Sequence, residues 1–91
     1  MGQYKVRLSP KATAELKHWT KVGDKSTLKK IERIVLELSE HPTLGTGPVE
    51  LLKGDLSGYW SRRLNKKDRM IYAIDEVDAI VHVLSLQGHY E

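Results

Sequence analysis

The chain has 91 residues, no cysteine, and 15 Lys+Arg against 12 Asp+Glu, for a formal charge of +3. A chain this short buries only about 60% of the surface its unfolded form exposes, so it reads as one compact domain over residues 1–91, and a two-domain enzyme is excluded. The missing thiols exclude disulfide frameworks, thiolate zinc sites, iron–sulfur clusters and cysteine nucleophiles together.

The charge is spread unevenly. Residues 1–49 carry nine basic and five acidic side chains, residues 50–69 six and three, and residues 70–91 none and four. The basic part ends at Arg69, and its sign permits a polyanionic partner. No apolar run reaches the ~18 residues of a membrane span, and the opening residues lack the apolar stretch of a signal peptide, so the expected setting is the cytoplasm with no membrane partner.

Tyr4 to Leu8 alternates as a short strand, with Tyr4, Val6 and Leu8 on one face and Lys5 and Arg7 on the other. Ser9 suits a helix N-cap and Pro10 the first helical position. Ala12, Leu16 and Trp19 then recur at helical spacing up to a stop near Val22-Gly23. Asp24 or Ser26 opens a second helix, in which Leu28, Ile31, Ile34, Val35 and Leu38 form an apolar stripe and His41-Pro42 is the stop. Thr43 to Gly58 reads as loop, with room for a brief strand at Val49 to Leu52. Three strands follow, Tyr59 to Leu64, Arg69 to Ile74 and Ile80 to Leu86, separated by short polar turns that imply antiparallel neighbours. The expected class is α+β in the order β-α-α-β-β-β, one antiparallel sheet with a helical hairpin packed on one face.

A sheet covered on one side leaves the other side free for chemistry. Strand parity sets Arg69 opposite Met70, Tyr72 and Ile74, and sends Arg62 and Arg63 to opposite faces, so that one of the two joins Arg69. Glu50 and Lys53 sit in the approach to these strands, and His89 and Tyr90 follow the last one. A carboxylate, several fixed cations, an imidazole and a phenol suit RNA cleavage by its own 2′-hydroxyl, with Glu50 as base, His89 as acid and Arg69 as charge on the phosphorane. Tyr90 is the candidate for stacking on a base. Trp19 and Trp60 read as packing residues, Lys66-Lys67 as a polar hairpin tip, and no chemistry is assigned to His18, His41 or His82. No metal is expected, because His-x-x-x-His is absent and the cations would repel one; no phosphate-cradling glycine loop is present either.

The segment Pro48-Val49-Glu50-Leu51-Leu52-Lys53-Gly54-Asp55-Leu56-Ser57-Gly58-Tyr59-Trp60-Ser61-Arg62-Arg63-Leu64, then Asp68-Arg69-Met70-Ile71-Tyr72-Ala73 and the closing His89-Tyr90, resembles the YoeB (Txe) toxins of the RelE superfamily. The resemblance spans essentially the whole chain. It implies a RelE-like fold and a bacterial type II toxin: an mRNA endoribonuclease that works in the A site of the 70S ribosome, needs no cofactor and is restrained by a YefM-like antitoxin. It implies Glu50 as general base, His89 as general acid, Arg69 as transition-state stabiliser, Tyr90 as support for the substrate base, and Lys53 and Arg63 as phosphate contacts. Parity across the hairpin favours Arg63 over Arg62. Glu91 departs from the family's closing His-Tyr and adds a carboxylate that favours a protonated His89. Two other readings are a gyrase poison of the same superfamily, which has no use for an acid/base pair, and a catalytically inert nucleic-acid-binding module. Monomer and homodimer are both open.

Overall fold

Ser9 begins the first helix and ties it to the sheet. In the computed structural model, which describes residues 3–43 and 49–88, its extended backbone lets Oγ accept from the Ala12 amide at 3.0 Å. The same hydroxyl donates to the Leu84 carbonyl at 2.8 Å. Strand β1 (Lys5–Leu8) thus passes directly into α1 (Pro10–Val22), with Pro10 where no amide donor is needed. Gly23, at φ 72°, ends α1 in the left-handed region that a side chain would disfavour. Of the two cap candidates for α2 (Lys25–Leu38), Asp24 is the one used, accepting from the Thr27 amide at 3.0 Å and the Thr27 hydroxyl at 2.9 Å.

Strands β2 (Val49–Leu51), β3 (Trp60–Arg63), β4 (Arg69–Asp75) and β5 (Ile80–Ser85) complete a five-stranded sheet in the order β1-β5-β4-β3-β2. The brief strand at Val49 is therefore real and forms the outer edge beside β3. All pairs are antiparallel except β1 with β5, which is parallel. The α+β architecture expected from the sequence stands, with one parallel pair added. An alternating pattern says which face a residue takes, but not which strand lies beside it.

The core lies between the helices and one sheet face. Ala12 and Trp19 of α1 and Ile31, Ile34 and Leu38 of α2 bury against Met70, Tyr72, Val81, Val83 and Leu86. A bulge explains how Val83 and Leu86, three residues apart, both belong to it. Register passes from Tyr72–Val83 to Ile71–Ser85, leaving Leu84 as the extra residue and reversing the parity beyond it. The end of β5 is then pinned from α1: Trp19 Nε1 donates to the Leu86 carbonyl at 2.8 Å, and Glu15 Oε1 accepts from the Leu86 amide at 2.7 Å. Among the described residues, no helix is long and apolar enough to cross a membrane.

Hydrogen bonds from the Thr27 amide and then the Thr27 hydroxyl hold the Asp24 carboxyl below the usual aspartate range. A group depressed on folding adds stability above its unfolded range, and that contribution is lost as pH falls through the folded value. Asp24→Ala should therefore melt below the parent at neutral pH, with the gap narrowing in acid. Asp24→Asn, which keeps the cap without titrating, should hold its stability there. Thermal melts from neutral pH to below the aspartate range check this.

Candidate active site on the open sheet face

The face turned away from the helices is assembled by register. Glu50 of β2 pairs with Ser61 of β3, Ser61 with Ile71 of β4, and Ile71 with Ser85 of β5, so these four form one row on that face. One step along, Arg63 and Arg69 pair across β3 and β4. The Arg69 guanidinium reaches diagonally over β3 to Glu50, with Nη1 3.3 Å from Oε1. The two side chains are 22% and 47% exposed, so the pair contributes less than about 1 kcal/mol and opens easily. A carboxylate and a guanidinium, lightly joined and open to solvent, can be separated by an incoming anion.

Arg62 takes the opposite course. Its side chain is 1% exposed, with Nη1 2.6 Å from Glu37 Oε1 on α2. Nη2 donates to the His41 carbonyl at 3.3 Å, and Nε to the Tyr72 hydroxyl at 3.4 Å. Tyr72 in turn donates to the Pro42 carbonyl at 2.7 Å. Burial pushes the Tyr72 hydroxyl above the ordinary phenol value, and the neighbouring Arg62 partly opposes that rise. Of the two adjacent arginines, Arg63 thus shares the face of Arg69, while Arg62 ties the sheet to α2.

Lys53 follows the buried Leu52 and is exposed. Among the described residues, no hydrogen bond or ion pair joins it to Glu50, Arg63 or Arg69. His89, Tyr90 and Glu91 lie outside the described residues, as do Gly45, Gly47 and Pro48. The chain leading to His89 is held as far as Gly88: its amide donates to Asp68 Oδ1 at 2.7 Å, and its carbonyl accepts from the Arg69 amide at 2.8 Å. Sequence reasoning passed over Asp68; the signal was the Asn65-to-Asp68 turn, in which Asn65 Oδ1 accepts from the Lys67 and Asp68 amides at 2.8 Å each. Lys66 and Lys67 are exposed at this tip. His18 meets Trp19 edge to face, and His82 is a cross-strand neighbour of Ala73 and Arg7. Among the described residues, no three His, Cys, Asp or Glu side chains converge as a metal site.

A family model described as the YoeB-like toxin of the bacterial type II toxin-antitoxin system matches residues 8–90. The chain belongs to the YoeB toxin family. It is 44% identical to toxin YoeB of Streptomyces coelicolor over 73 residues, which covers 80% of this chain and 83% of that one. Among solved structures it is similar to the YoeB dimer from Staphylococcus aureus, with TM-score 0.83 and 31% identity, covering 97% of this chain and 99% of that one. It is also similar to the heterotetrameric YoeB-YefM toxin-antitoxin complex from Staphylococcus aureus, with TM-score 0.81 and 30% identity over the same shares. The chain is thus a type II toxin of the YoeB family, with its Glu50–Arg69 pair on the face that the helices leave bare.

The adjacent arginines of this YoeB-family chain should separate cleanly on substitution. Arg62→Ala removes the enclosed guanidinium that meets Glu37 Oε1 and the Tyr72 hydroxyl and should cost about 3 kcal/mol. Arg63→Ala, on an exposed position, should stay within about 0.5 kcal/mol of the parent. Denaturant unfolding of the two variants measures the difference.

Proposed function

We propose that this toxin is a metal-independent endoribonuclease that cleaves mRNA in the ribosomal A site by attack of the RNA's own 2′-hydroxyl. One observation carries the reading: Glu50 and Arg69, 19 residues apart in sequence, meet on the uncovered sheet face. A base and a fixed cation at one place are what an internal phosphoryl transfer requires. Glu50 takes the 2′ proton, O2′ attacks phosphorus, and Arg69 stabilises the charge that builds on the phosphorane. His89 protonates the departing 5′ oxygen. The P–O5′ bond breaks, giving a 2′,3′-cyclic phosphate on one fragment and a 5′-hydroxyl on the other.

Arg63, directly opposite Arg69, extends the positive field along the scissile strand, Lys53 adds a phosphate contact, and Tyr90 supports a base by stacking. In the free protein Glu50 holds Arg69 in place; a phosphate that takes over the guanidinium frees the carboxylate for proton abstraction. The ribosome holds the message in line, so that a small toxin need not bind a long stretch of RNA. A YefM-type antitoxin is the proposed partner, as for the Staphylococcus aureus relative, and homodimerisation is proposed on the same ground. An acidic segment of that antitoxin laid over the Arg63–Arg69 surface would block phosphate approach.

Glu50→Gln and Arg69→Ala should each lower the cleavage rate of mRNA on programmed ribosomes by about 10²-fold or more, with melting temperatures near the parent's. Primer extension measures the rate, and parent-like cleavage by Glu50→Gln would refute the base assignment. A message with 2′-deoxyribose at the scissile nucleotide should resist cleavage, and chelation of divalent ions after ribosome assembly should leave the chemical step unchanged.

A further inference from the structure

One side chain on the open face has unexplained hydrogen bonding. Ser61 is fully buried, and among the described residues its Oγ has no hydrogen-bond partner. Roughly nine in ten buried polar groups are satisfied in native proteins, so an orphan hydroxyl beside a proposed base calls for a reason. Ser61 stands directly across from Glu50, and directly opposed residues in an antiparallel pair have Cβ atoms ~5 Å apart. Rotation about the Glu50 side chain therefore brings its carboxylate within reach of Ser61 Oγ. In the free protein that carboxylate is engaged elsewhere. Arg69 starts on β4 opposite Arg63, so its reach to Glu50 on β2 crosses β3 between Arg63 and Ser61.

We propose that Ser61 is a positioning residue for Glu50: when a phosphate claims the Arg69 guanidinium, the released carboxylate accepts a hydrogen bond from Ser61 Oγ and is held toward the nucleophilic hydroxyl. The inference rests on Glu50 as base and Arg69 as phosphate ligand. Among the described residues the hydroxyl meets no acceptor, because the Glu50 side chain is turned along the sheet toward Arg69 and away from Ser61. Arg69 and Arg63, paired across β3 and β4 on this face, are then both free to turn to phosphate, and Ser61 is a neutral donor for the base.

The test compares Ser61→Ala, Ser61→Thr and Glu50→Gln in cleavage of ribosome-bound mRNA, with thermal melts of each. Ser61→Ala should lose about ten-fold in kcat with KM unchanged, because the lost hydrogen bond forms only after phosphate binds. It should melt at or above the parent temperature, since the deleted hydroxyl has no partner among the described residues. Ser61→Thr, which keeps the hydroxyl, should recover most of the rate. An unchanged kcat for Ser61→Ala beside an inactive Glu50→Gln overturns the role of Ser61 and leaves the base assignment standing. Parent-like cleavage by Glu50→Gln overturns both. A Ser61→Ala protein that melts well below the parent, with no recovery in Ser61→Thr, makes Ser61 a packing residue and overturns the inference.

Discussion

A guanidinium can be taken out of water only where its donors are met, and at Arg62, among the described residues, groups from three separate parts of the chain meet them. Glu37 comes from α2, the His41 carbonyl from the segment after it, and the Tyr72 hydroxyl from β4, itself bonded to the Pro42 carbonyl. Desolvation offsets much of what such a pair gains in energy, so its stronger effect is on geometry: few other arrangements of these segments would satisfy the charge. With Arg62 turned inward, the two-residue repeat of β3 leaves Ser61 and Arg63 no choice but the other face. The open-face row then follows, since Glu50 and Arg69 are placed by their register on β3.

Two ion pairs on opposite sides of one sheet thus serve opposite ends. Arg62–Glu37 is enclosed, multiply bonded and costly to break. Glu50–Arg69 is half-exposed, longer, and cheap to open. The proposed phosphate site would gain from the second kind, because an incoming anion has only a weak contact to displace. The free chain keeps Glu50 and Arg69 oriented toward each other at little energetic cost.

The far side of the site depends on how β5 ends. The bulge at Leu84 lets Val83 and Leu86 both enter the core, and α1 then grips Leu86 at both its amide and its carbonyl. Two residues on, Asp68 and the Arg69 amide hold Gly88. The residue that carries one end of the Glu50 ion pair therefore also helps anchor, through its backbone, the chain that leads to His89.

Much of this was legible without coordinates. Apolar spacing located both helices, Ser9 with Pro10 and Gly23 marked the limits of α1, and the polar turns located the hairpins, because these are local consequences of backbone sterics and capping. Parity alone required Arg62 and Arg63 to part, and the motif around Leu56-Ser57-Gly58-Tyr59-Trp60 carried the family. Other features needed the fold. The parallel partner of β1, the bulge that reverses parity after Val83, the choice of Arg62 as the inward cation and the burial of Ser61 each involve residues far apart in sequence. Sequence by itself determined which side chains alternate and where elements begin and end, since those depend on neighbours a few residues away. Only the tertiary structure decided which face met the helices, because that depends on which distant groups can satisfy a buried charge.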